Sequence, residues 1–367
     1  MLTRITTVGI LICYTLVFYF LYGVILVHPK QIYWSLSNHI ESGNCKSIQD
    51  IGPFLTLVWR DLDVICRPQP NLMVEIYGAF INAIDVKTTN GLVKLDNKFV
   101  SLTPVSLNNI PQKAANVVLL KQYYQAQNIP VIYVQCPIKI HKNQTALPRG
   151  VIDKTNPDMD LLLGILRKHD VETIDLRDIF IDNPDEHYAN YYCSDHHWKS
   201  KYALLACEKI VHYLHDKHQW QVDFSFFNST NFIEETISFA PSELVRVGKY
   251  YVQQDKQKFL KYIGTNNSYS TPLESPDINN SLNLGDNITI SWYSHRPELK
   301  KTVVMLGDSY TYHFAPYFSN FCNTLIVIDP RRSNVSLKET IDQLHPDMVL
   351  IFYWGLSLAN EKCFTFD

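Results

Sequence analysis

Thr302-Val303-Val304-Met305-Leu306-Gly307-Asp308-Ser309-Tyr310 is the stretch on which the fold turns. Its apolar start reads as a strand buried on both faces, and Gly-Asp-Ser then breaks the run. That places a serine just beyond the C-terminal end of a buried strand, where ligands and nucleophiles collect in open α/β sheets. Taken alone, Gly-Asp-Ser reads as a strand-to-helix turn with a capping serine. A second stretch changes the reading.

Ser194-Asp195-His196-His197-Trp198 sets a carboxylate and an imidazole two positions apart between two elements. On extended chain, residues i and i+2 point to one side, so Asp195 and His197 share a face and His196 points away. Asp195 can then fix the tautomer of His197, leaving its second nitrogen to take the proton of Ser309, whose free hydroxyl is a poor nucleophile. The same Ser194-Asp195 pair would also cap the helix expected from about Trp198 through Tyr202, Leu205, Ala206, Ile210 and Val211.

Working outward, helices are expected near 114–126, 159–167 and 337–344, and strands at 131–134, 171–176, 324–328 and 348–353. This alternation predicts an α/β fold with a doubly wound, mostly parallel sheet over residues 111–367. Residues 216–301 lack periodicity and carry Pro272, Pro276 and Pro297, so they read as an insertion of the kind that shapes a substrate cleft. Residues 31–110 read as a stalk with a decorating hairpin around Asp96-Asn97. Lys139, just past the 131–134 strand, either meets a substrate oxygen in the crevice or is merely solvated.

Asp-His-His-Trp followed by Gly-Asp-Ser resembles the DHHW proteins and the alginate O-acetyltransferase branch of the SGNH hydrolase-like superfamily. The order is permuted relative to ordinary SGNH hydrolases, in which the Gly-Asp-Ser block lies near the N-terminus and the histidine block near the C-terminus. The resemblance implies a serine triad of Ser309, His197 and Asp195. It also implies transfer of an acyl group, by an O-acetyltransferase, to a cell-surface or exported polysaccharide. The acyl donor would be delivered by a membrane-bound O-acyltransferase. Two alternatives stay open: a carbohydrate O-acetyl esterase with the same triad, and a non-catalytic, membrane-tethered glycan-binding or scaffold protein. Val245-Arg246-Val247-Gly248 stands where the family carries a glycine- and arginine-rich piece, which makes Arg246 a candidate for substrate or oxyanion contact. Lys139, Asp308, Tyr310 and His196 join it as candidates.

The 367 residues carry a formal net charge of -3, which argues against a nucleic-acid partner. From Ile5 to Val27 the chain is apolar and free of charged side chains, long enough to cross a hydrocarbon core of about 30 Å as a helix. No small-residue cleavage site follows, so residues 1–30 read as an uncleaved, single-pass anchor rather than a removed signal peptide. Arg4 favours an N-terminus inside and a main domain outside the cytoplasm. No Cys-x-x-Cys or Cys/His metal spacing occurs, so no metal, cofactor or disulfide framework is expected; Cys45 with Cys66 is the one pair worth testing for a bridge. Protease applied to intact cells is expected to remove the domain beyond about Gln31. Protection that persists until lysis would overturn this orientation.

Overall fold

The computed structural model describes residues 70–143, 146–237, 244–249, 251–252, 255, 257–264, 290–294 and 299–367. The expected anchor, most of the stalk and the Cys45–Cys66 pair lie outside the described residues. Among those described, no helix is long and apolar enough to cross a membrane. The chain divides into two compact units, Met1–Ile76 and Tyr77–Asp367. Within the second unit lie the elements that position the site.

In chain order the elements begin with α1 (Pro70–Ala83) and three short strands, β1 (Thr88–Thr89), β2 (Leu92–Lys94) and β3 (Val100–Leu102). Then come α2 (Ile110–Gln125), β4 (Val131–Gln135), α3 (Thr155–Lys168), β5 (Glu172–Asp175), α4 (Pro184–Ala189) and α5 (Ser200–His218). The insertion contributes β6 (Phe232–Ile237), α6 (Leu244–Val247), β7 (Gln257–Tyr262) and β8 (Ile290–Ser294). The chain closes with β9 (Thr302–Gly307), α7 (Thr311–Phe318), β10 (Thr324–Ile328), α8 (Leu337–Leu344) and β11 (Met348–Tyr353).

One six-stranded sheet in the order β5-β4-β11-β9-β10-β8 organises these elements. Its first five strands are parallel, and β8 joins the edge antiparallel, so the insertion supplies a strand to the main sheet as well as the separate β6-β7 hairpin. Every residue of β4 and β11 is buried. That is why these strands are continuous apolar runs rather than alternating ones.

Right-handed crossovers decide where the helices lie. From β4 to β5 the chain moves one way across the sheet, and from β9 to β10 it moves the other, so α3 and α7 cover opposite faces. The return from β10 to β11 puts α8 on the α3 face, where the Tyr123 hydroxyl of α2 donates to Asp342 at 2.7 Å. Between the oppositely directed crossovers the strand ends leave a crevice, and the turn after β9 opens into it. Ser336 caps α8 by accepting from the Glu339 amide at 3.2 Å, satisfying one of the helix's unpaired donors.

The β2-β3 hairpin is more than decoration. Val100 N–H donates to the Cys193 carbonyl at 2.8 Å, two residues before Asp195. Lys139 completes this joint and corrects the expectation of an exposed lysine: it is 1 % exposed, and its ammonium donates to the carbonyls of Val100 and, at 3.4 Å, of Cys193. The chain past β4 dives under the hairpin instead of entering solvent, as the burial of Ile138 and Ile140 shows. Lys139→Met is therefore expected to lower stability by about 1 to 3 kcal/mol, the cost of orphaned buried acceptors. Urea melts of the two proteins measure this; coincident melts would contradict the burial argument.

Candidate active site

Gly307 ends β9 at a place where an added Cβ would collide with the Thr311 methyl group. The turn that follows is clamped by Asp308. Its Oδ1 accepts from Tyr310 N–H at 2.9 Å, and its Oδ2 accepts from Trp354 N–H at 2.7 Å, at the end of neighbouring β11. Its carbonyl accepts from the Thr311 amide at 3.0 Å and from the Thr311 hydroxyl at 2.6 Å. Burial pushes the Asp308 carboxyl pKa up, against the pull of these donors. Asp308 thus fixes the nucleophile turn to two strand ends and is spent on that task, a correction to its place among substrate candidates.

The Asp-His-His-Trp stretch is a loop pinched at its base by a bridge between Tyr191 and Trp198. It is a succession of bends rather than extended chain, so alternation of side chains is not what pairs Asp195 with His197. The carboxylate folds forward instead: Oδ1 accepts from the His197 backbone N–H at 2.7 Å and from its Nδ1 at 2.6 Å. A short Asx turn therefore orients the ring. On its other side, His197 Nε2 lies 2.8 Å from Ser309 Oγ, across 112 residues of sequence. With Asp195 accepting from Nδ1–H, Nε2 is the free lone pair and Ser309 the donor.

Capping is not the role of Ser194-Asp195. Helix α5 begins at Ser200, and Lys199 at its N-cap makes no side-chain cap. Ser194 instead donates from its amide and hydroxyl to Asp255 of the insertion, at 2.7 and 3.1 Å. Asp195 is 2 % exposed; burial opposes its ionisation, but the His197 hydrogen bond and charge outweigh burial and hold the carboxyl well below the usual range.

Two reciprocal bonds lash the halves of the site together. Trp198 Nε1 donates to the Tyr310 carbonyl at 3.2 Å, and the Tyr310 hydroxyl donates to the His196 carbonyl at 2.7 Å. Tyr310 is fully buried, its ring stacked on Trp354 with centroids 5.2 Å apart. It is a buried fastening, which corrects its place among the substrate candidates. His196 does not point away: its ring lies 4.0 Å from that of His197 and 4.7 Å from that of Trp354. Arg246 is exposed on α6, where its carbonyl accepts from Asn90, in the turn between β1 and β2, at 3.2 Å. Its neighbour Val247 belongs to a second apolar cluster with Ile81, Leu92, Val100, Tyr251 and Val252, and no contact joins Arg246 to Ser309 among the described residues. Ligand atoms of Asp195, His196 and His197 fall within 4.8 Å of one another, but both nitrogens of His197 already face Asp195 and Ser309.

The sequence reading missed Trp354, Asp255 and His313. His313 follows Ser309 by four residues, the spacing that places two side chains on one face of a helix, so that signal was available. Burial, then the charge of His197, pushes its imidazole down to about 4.

Residues 98–232 match the family model described as SGNH hydrolase-like domain, acetyltransferase AlgX. The chain resembles the SGNH hydrolase-like acetyltransferases. That match takes in Asp195 and His197 and ends before Ser309. Among solved structures, PatB1 from Bacillus cereus, determined with a sulfonyl adduct, is 17 % identical with a TM-score of 0.60, over 75 % of this chain and 97 % of that one. A DHHW family protein from Eubacterium siraeum is also 17 % identical, with a TM-score of 0.55, over 75 % of this chain and 94 % of that one. At this identity the two show a shared α/β fold alone; its SGNH-like character is carried by the family model. No curated protein sequence matches the chain.

His313 yields a pH dependence whose sign is fixed. Its folded pKa lies below the ordinary 6.5, so its contribution to stability is full above that value and is lost as pH falls toward 4. Denaturant melts between pH 4 and 7 are expected to show His313→Gln taking up about one proton fewer on unfolding than the wild type. Parallel pH profiles would contradict the shift.

Proposed function

We propose that this protein is a serine-dependent acyl-transfer enzyme, an O-acetyltransferase acting on an extracytoplasmic polysaccharide and held at the membrane through residues 5–27. One observation carries the chemistry: the continuous line Asp195 Oδ1, His197 Nδ1 and Nε2, Ser309 Oγ, with contacts of 2.6 and 2.8 Å. Supporting the acyl class is the match of residues 98–232 to an acetyltransferase-type domain. The polysaccharide acceptor and the membrane location rest on the Asp-His-His-Trp resemblance and on the uncharged Ile5–Val27 run.

The steps follow from the geometry. His197 Nε2 takes the Ser309 proton as Oγ attacks the acyl carbonyl, while buried Asp195 stabilises the imidazolium that forms. Negative charge then develops on the carbonyl oxygen. The amides of Tyr310, Thr311 and Tyr312 are already bound within the turn, and the Ser309 N–H has no acceptor among the described residues, which leaves it for the oxyanion. His197 returns its proton to the leaving oxygen. An acceptor hydroxyl, deprotonated by the same imidazole, next attacks the acyl-serine and releases the enzyme.

Ser309→Ala is expected to cut acetyl-ester hydrolysis and acetyl transfer to oligosaccharide at least about 1,000-fold. Its melting temperature is expected to stay near that of the wild type, since among the described residues the lost hydroxyl bonds only to the half-buried His197 ring. Steady-state kinetics with both proteins decide the matter. Equal rates would end the role of Ser309, and an inactive wild type would favour a glycan-binding scaffold.

A further inference from the structure

Helix α7 starts two residues after Ser309 and buries nearly everything it carries: Thr311, Phe314, Ala315, Pro316, Tyr317 and Phe318. Tyr312 is the outlier. It is 59 % exposed, and its amide donates to the Ser309 carbonyl at 3.2 Å, which seats it one tight turn above the nucleophile. Its phenol has no hydrogen-bond partner among the described residues. Tyr312 and His313 follow Ser309 by three and four residues, the spacing that in a helix shares a face, and stand in the first turn of the helix that opens just beyond it.

The imidazole of His313 is set in an aromatic wall. Its ring lies 6.2 Å from that of Tyr192, at the entrance to the Asp-His-His-Trp loop, and 6.4 Å from that of Phe259, on β7 of the insertion. It is also close enough to His197 and Asp195 for their charges to act on it. Held neutral, an imidazole offers one donor and one acceptor, the pairing that a sugar hydroxyl satisfies from both sides. The exposed ring of Tyr312, one residue before it in the chain, suits the apolar face of a pyranose ring, because sites for small ligands combine broad aromatic walls with a few placed polar groups.

We propose that Tyr312 and His313 form the acceptor subsite, in which a pyranose ring stacks on the Tyr312 face and one of its hydroxyls bonds to His313, presenting a neighbouring hydroxyl to the acyl group on Ser309. This rests on the acyl-transfer reading. The insertion takes part through Phe259, which backs the imidazole.

The test is the ratio of transfer to hydrolysis, with p-nitrophenyl acetate as donor and chitopentaose, cellopentaose and xylopentaose as acceptors. Tyr312→Ala is expected to lower that ratio at least tenfold through a raised KM for the best acceptor, Tyr312→Trp to restore it, and His313→Ala to lower it as well. A merely structural residue would depress transfer and hydrolysis together and leave the ratio unchanged; that result overturns the subsite. Wild-type hydrolysis that depends on Ser309 but yields no transfer to any of the three acceptors would also overturn it. A wild type without Ser309-dependent hydrolysis instead falls on the acyl-transfer reading itself.

Discussion

The site depends on Tyr310. This one buried residue bridges the two halves of a constellation separated by more than a hundred residues of sequence. Its hydroxyl donates to the His196 carbonyl, its own carbonyl accepts from Trp198 Nε1, and its ring stacks on Trp354 at the end of a third segment. Loops at strand ends are mobile by default, and a triad with loose members loses orientation steeply. Here the loop carrying Asp195 and His197 and the turn carrying Ser309 share hydrogen bonds in a water-excluded setting, where each bond is strong and each broken one is costly. Asp308 adds the tie to β11 through Trp354 N–H.

Much of this was legible in the sequence. The strands at 131–134, 302–306, 324–328 and 348–353 declare themselves because a strand buried on both faces has no reason to alternate. The pairing of Asp195 with His197 and the distant Ser309 was legible too, because nucleophile, base and orienting carboxylate demand those residue types. What failed was local direction. Asp195 and His197 meet through an Asx turn, and the resulting bend brings His196 onto His197 instead of away from it. Single-sequence periodicity carries no signal for a bend of four residues. Lys139 failed for a related reason: a lysine beyond a strand end is usually solvated, and only the tertiary position of the β2-β3 hairpin, with two carbonyls waiting, accounts for its burial.

The insertion divides its residues between support and reach. Asp255 holds Ser194, and β8 extends the sheet, while Phe259 stands behind His313 at the crevice. A rigid scaffold that supplies the triad, with a less regular segment that walls the cleft, lets substrate choice change without disturbing the chemistry. The family match speaks to a portion of the scaffold only. The matched residues stop at 232, short of the serine and of nearly all the insertion.

Ser309 as a nucleophile is the central claim, and intact-protein mass spectrometry after brief exposure to an activated acetyl ester tests it most directly. The expected result is a gain of one acetyl group that peptide mapping localises to Ser309, that Ser309→Ala abolishes, and that decays when acceptor or water attacks. Acetylation spread over surface lysines and unchanged in Ser309→Ala would contradict it.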